Sequence, residues 1–103
     1  MSLPRMIAAR DLPLAPLDAA AQFTAHILPS IRTDLASDCI ILFDPADRPH
    51  AIWRRAMVEE LAREAAPARI NAIVGTAEDA IAATVEYLAK APGVTGQIFE
   101  LST

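Results

Sequence analysis

Residues 57–101 constrain this chain more than any other stretch. They read MVEELAREAAP, ARINAIVG, TAEDAIAATVEYLAKAPGVTG and QIFEL in succession. The first and third segments repeat apolar residues at helical spacing, and the second and fourth are short apolar runs of strand length. Helix, strand, helix, strand is a βαβ unit with a leading helix, and that alternation specifies a parallel sheet covered by helices.

The upstream half continues the alternation. CIILF at 39–43 is a continuous apolar run, as expected of a central parallel strand buried on both faces. Before it, Phe23, Ile27, Ile31 and Leu35 recur every four residues and predict a helix, widened by Ala20 and Leu28. Asp18 is the expected N-cap of that helix. Pro29 removes a backbone donor inside it and predicts a kink. RMIAAR at 5–10 predicts an edge strand through Met6, Ile7 and Ala8, followed by an extended connector at Pro13 and Pro16.

A second helix is expected over 51–65, with Trp53, Met57, Leu61 and Ala65 as its inward stripe and Val58 beside it. Its outer face would carry a ladder of Arg55, Glu59 and Arg63. A strand over 69–74 follows. Thr76 with Asp79 resembles a capping box for a third helix, whose inward residues are Ile81, Thr84, Val85 and Leu88. Pro92 and Gly93 stop it, and 97–101 is the last strand. The expected fold is α/β: a small parallel sheet of three to four strands, right-handed crossovers, and helices on both faces. This is half of a doubly wound sheet in one domain over 1–103.

Composition narrows function mostly by exclusion. The formal charge is −4 with acids and bases interspersed, which disfavours nucleic acid and anionic membranes. Aromatic residues are only 5%, too few for a base-stacking platform. Cys39 is the single cysteine, so no internal disulfide forms, and a reducing compartment is expected. The start of the chain lacks the apolar run of a signal peptide, and no stretch reaches transmembrane length. A cytoplasmic protein is the resulting expectation.

Two motifs resemble the C-terminal half of the short-chain dehydrogenase/reductase family: LAREAAPARINAI at 61–73 and YLAKAPGVTGQIFEL at 87–101. FTAHILPSIRTDLASDCIILF at 23–43 is similar to the family's kinked helix and the strand that normally ends in its catalytic serine. The resemblance implies a Rossmann-like half fold covering nearly the whole chain. It also implies what is missing. No glycine-rich turn for a pyrophosphate exists among three glycines. The family's serine falls near Phe43 and Asp44, and its tyrosine and lysine fall on Asp47 and Ala51. The family's substrate-binding excursion after the Asn-Ala-Ile strand is replaced by Val74, Gly75 and the next helix. The expectation is that nicotinamide-dependent redox chemistry is lost, with no catalytic residue, no cofactor and no metal.

The remaining polar cluster is Asp44, Asp47, Arg48 and His50, with Arg54 and Arg55 one turn on. It lies after a strand, where open α/β sheets bind ligands. One reading is a small site with His50 as acid/base or as a metal ligand beside the aspartates. The plainer reading is a polar loop in which Asp44 bonds loop amides, Asp47 pairs with Arg48, and His50 caps the helix. His26 is expected at a surface or interface, Cys39 as a small buried residue, and Asn71 as structural. Trp53 is either core or an interface anchor.

In the family that the chain resembles, the two long helices pair with a second subunit. Phe23, Ile27, Ile31, Trp53, Met57 and Leu61 are the matching interface candidates. A small half sheet also buries little area alone and leaves an open edge. The favoured expectation is a non-catalytic interaction or accessory protein. It would act as a homodimer, as a higher homo-oligomer or through a protein partner, including one that completes the sheet. The alternative is a small ligand-binding protein or enzyme built on the 44–50 loop.

Overall fold

The computed structural model describes residues 3–101. Its elements in order are β1 (Arg5–Ala9), α1 (Pro16–Gln22), a π-helical turn (Phe23–Ile27), α2 (Leu28–Arg32), β2 (Cys39–Phe43), α3 (His50–Ala65), β3 (Ile70–Val74), α4 (Glu78–Ala89) and β4 (Ile98–Glu100). The strands form one parallel sheet in the order β1-β2-β3-β4. The RMIAA segment is itself the edge strand, with Ile7 beside Ile41. No helix among the described residues is long and apolar enough to cross a membrane.

Strand side chains alternate between two faces. Cys39, Ile41 and Phe43 of β2, with Ile70, Ala72 and Val74 of β3, pack against Phe23 and Ile31 and against Val58, Leu61, Ala62 and Ala65 of α3. Ile40 and Ile73 point the other way and pack against Leu88, Ile81 and Val85 of α4. The helical segments from α1 to α3 therefore cover one face, and α4 packs on the other.

Every crossover moves in the same direction along the sheet, yet α4 lies on the opposite face. The β3-α4-β4 crossover thus has the opposite hand to the two before it, so the three cannot all be right-handed. Its consequence is local. The loops after β2 and β3 leave toward opposite faces, the divergence that opens a crevice between neighbouring strand ends.

Several local expectations are corrected. The kink at Pro29 takes the form of a π-helical turn just before it. Its fixed ring sits in the first turn of α2, where a missing N–H costs least. Asp18 lies in the first turn of α1 rather than at its N-cap, which is Ala15 and makes no side-chain bond. The N-cap of α4 is Ala77, so Thr76 and Asp79 form no capping box; Glu78 and Asp79 face the helix dipole instead. Helix α4 stops at Ala89, before Pro92, and β4 is shorter than its apolar run. In α3 the buried stripe is His50, Arg54, Val58, Leu61 and Ala65, with Trp53 and Met57 only half buried at its flank. Arg55 pairs with Glu59 at 3.9 Å, but Arg63 turns to Glu60 and ends the ladder there.

At the amino edge of the sheet, two arginines close helix C-termini. Arg5 donates to the carbonyls of Ile31 at 2.9 Å and Asp34 at 2.8 Å, where α2 ends. Arg69 donates to Leu88 at 2.9 Å and Ala91 at 2.5 Å, where α4 ends, and its Nη2 pairs with Asp38 at 2.9 Å. Cations at helix C-termini satisfy orphan carbonyls and oppose the negative end of the dipole. Asn71, buried in β3, accepts from the Gln97 amide and donates to the Val94 carbonyl, both at 3.0 Å, which fixes the turn into β4. Gly96 in that turn has φ +73, a left-handed conformation that glycine adopts without a Cβ penalty.

Candidate functional site

The carboxyl ends of the strands bring together Arg10, Asp11, Asp44, His50, Arg54, Gly75 and Glu100. Arg10 fills the crevice between β2 and β3. Its Nη1 lies 2.6 Å from Asp44 Oδ1, and its Nη2 donates to the Gly75 carbonyl at 3.0 Å. The second Asp44 oxygen accepts the Asp11 amide at 2.9 Å. Asp11 adopts φ 58 to present that amide, a left-handed conformation that aspartate tolerates better than most residues. Burial works against the Asp44 charge. The Asp11 amide and the Arg10 guanidinium outweigh it and hold the carboxyl below its ordinary range.

His50 is buried at the start of α3. Its Nε2 lies 2.8 Å from the Leu14 carbonyl, and its Nδ1 accepts the Trp53 indole N–H at 3.1 Å. A carbonyl can only accept and an indole can only donate, so the pair assigns His50 as the neutral Nε2–H tautomer. Both nitrogens are occupied, which leaves none for proton transfer to a ligand or for a metal. Nor does His50 cap the helix: the N-cap is Pro49, without a side-chain bond.

The 44–50 loop therefore does not converge on one point. Asp44 turns to Arg10, and His50 turns to Leu14 and Trp53. Asp47 and Arg48 are exposed and form no ion pair with each other; their carbonyls close the first turn of α3. Among the described residues no group of three His, Cys, Asp or Glu side chains is placed to hold a metal ion. His26 is exposed, and Cys39 is buried with its thiol pushed up by burial.

Of the interface candidates, Phe23, Ile31 and Leu61 are buried within the chain's own core. Ile27, Trp53 and Met57 are half buried against that core. Trp53 joins Phe23 and Phe43 in an aromatic cluster with ring centroids 5.5 to 5.8 Å apart.

Sequence reasoning placed Arg54 beside the loop but not in the inward stripe. The residue is 7% exposed, and its Nε has no partner. Its guanidinium carbon lies 4.5 Å from the centre of the Phe43 ring and 5.8 Å from that of Trp53. Burial pulls its pKa down, while Asp44 and Glu100 favour its charged form.

The family model described as short chain dehydrogenase-like protein matches residues 7–101. This chain belongs to that family. No curated protein and no solved structure matches it. The wider resemblance implies a dinucleotide cofactor, whose pyrophosphate needs free amides at a helix N-terminus and a close backbone approach. The strand ends of this short chain dehydrogenase-like protein do not fit one. Helix α1 opens with Pro16 and Asp18, α3 opens with Pro49 and the bonded His50, and α4 opens with Glu78 and Asp79.

Proposed function

We propose that this chain is a non-catalytic member of its family, an interaction or accessory module that works by pairing with a second copy or with another protein. One observation carries the reading: what stands where the resemblance puts serine, tyrosine and lysine. Phe43 is buried in the aromatic cluster, and Asp44 is engaged by Arg10 and Asp11. Asp47 is an exposed carboxylate, and Ala51 has no functional group. None of these can supply a phenolic proton or lower the pKa of one.

The surface supports the pairing. Leu14 and Leu17, 95% and 85% exposed, and Ile52, 81% exposed, stand on the first turns of α1 and α3 and the segment leading in. On the other face, α4 reaches only as far as Ile40 and Leu42 of β2 and leaves Met6 of β1 exposed, although parallel sheets are normally covered on both sides. A groove of about 790 Å³ runs there between Met6 and Leu42 on the sheet and Ile81 and Val85 on α4. Among the described residues, the outer edge of β1 also has no neighbouring strand.

Light scattering at micromolar concentration tests the reading beside a pull-down from native cells. The expected result is a mass near twice 11.0 kDa, or a stoichiometric partner. Leu17→Asp with Ile52→Asp, compared with Met6→Asp, assigns the surface by which change splits the assembly. A lone monomer with no partner sinks the proposal, as would turnover of a nicotinamide cofactor by the pure protein. A small-molecule site at the strand ends is the second reading, and Arg54, whose Nε has no partner among the described residues, favours it.

A further inference from the structure

We infer that Arg54 is the anchor of a binding site for a small carboxylate at the carboxyl edge of the sheet, a site that rests on the second reading above and is independent of pairing. Arg54 stands in the inward stripe of α3, where His50, Val58, Leu61 and Ala65 are its buried companions. An arginine so placed is expected to bond a carboxylate or several carbonyls. Among the described residues Arg54 bonds neither, and its buried Nε has no acceptor.

The two acids that favour its charge do not supply the missing acceptor. Asp44 spends its Oδ1 on Arg10 and its Oδ2 on the Asp11 amide. Glu100 is exposed at the end of β4 and forms no hydrogen bond to the guanidinium. Arg10, the other cation of the site, is already held by Asp44 and Gly75. Among the described residues, Arg54 is therefore a cation whose charge is balanced at a distance and whose Nε donor is left over.

The aromatic contact explains how the guanidinium is held without a bonded partner among the described residues. A guanidinium stacked on a ring gains cation–π attraction through its flat face, while its N–H groups remain in its own plane. With Phe43 at 4.5 Å, the guanidinium is held over the end of the sheet rather than by a bonded partner among the described residues. A planar carboxylate meets the guanidinium edge with two parallel hydrogen bonds. Asp44 and Glu100 also select for low charge, because a dianionic phosphate is repelled by both more strongly than a monoanion is.

The position agrees with the topology. Arg54 lies over the end of β2, beside the crevice where the loops after β2 and β3 part toward opposite faces. Arg10 fills that crevice and neutralises Asp44, so an incoming carboxylate meets no unpaired acid between the two strand ends.

Trp53 is the single tryptophan of the chain, and its ring lies 5.8 Å from the Arg54 guanidinium carbon, so intrinsic fluorescence reads the site directly. Sodium acetate and sodium propionate are titrated into the full chain at constant ionic strength, with sodium chloride and inorganic phosphate as parallel arms. The expected result is a saturable fluorescence change with the carboxylates, none with chloride, and at least about tenfold weaker response to phosphate. Arg54→Met should abolish it. Arg54→Lys, which keeps the charge and loses the fork, should weaken it about tenfold. Glu100→Gln, an exposed change that should leave the fold intact, is expected to tighten acetate binding about threefold by removing a like charge. No saturable response in the wild type overturns the inference, as does preference for phosphate or weaker binding in Glu100→Gln. A carboxylate response unchanged in Arg54→Met keeps a ligand site at the strand ends and removes Arg54 from it.

Discussion

Asp44 sets the acid response of the strand-end cluster. Its carboxyl is depressed in the folded state, so the stability it adds is present above the unfolded carboxylate value of about 3.9 and is lost as pH falls through the lower folded value. The side chain is 37% exposed, and solvent screening limits the contribution to about 0.5 kcal/mol. Asp44→Asn is expected to lower the unfolding free energy at pH 7 by that amount, read as a lower urea midpoint, with the difference from wild type shrinking below about pH 4 and vanishing only below the depressed folded value. An equal difference at pH 7 and pH 3 would show that the Arg10 bond, rather than the charge, matters. This residue also marks how far the sequence could be read. The loop was visible because proline, aspartate and histidine crowd after an apolar strand. Its partner was not, because Arg10 is 34 residues away and directly follows a strand identified from three apolar residues. Arg54 was misplaced for a related reason: apolar periodicity gave the stripe to Trp53 and Met57, whereas a stacked guanidinium and a doubly bonded histidine hold the inward positions.

Among the elements, the two inner strands were legible because they are buried on both faces and so read as unbroken apolar runs. Helix caps were not, since all three capping residues proposed from sequence, Asp18, His50 and Thr76, sit inside or outside the cap position by a residue or more. The C-terminus of α4 is closed from a distance by Arg69, a residue of the neighbouring strand connection. Its side chain is only 17% exposed and joins Asp38, Leu88 and Ala91. Arg69→Met removes bonds to three groups and leaves two carbonyls and a carboxylate short of donors. A loss of about 2–3 kcal/mol is expected, read as a lower urea midpoint with an unchanged slope. Loss of α4 helicity alone, without a shift in the global midpoint, would place the clamp outside the cooperative unit.

For the whole molecule, burial and topology rank the strands. Every residue of β3 is buried, β2 is nearly so, and the two edges are β1 and the three-residue β4. Native-state hydrogen exchange should be slowest at the amides of β2 and β3 and faster at β1 and β4, where only one neighbour protects the strand. Uniform protection across β1 would indicate that its outer edge is paired in solution. The sheet order follows the chain order throughout, so each strand needs only the one synthesised just before it. Assembly on the ribosome can then proceed one strand at a time, with no pairing that waits for a distant segment. The stage of greatest exposure falls between β3 and α4. Until α4 emerges, Ile40 and Ile73 lie bare on the far face of the sheet. A nascent chain paused there presents the apolar surface that chaperones recognise, and the arrival of α4 withdraws it.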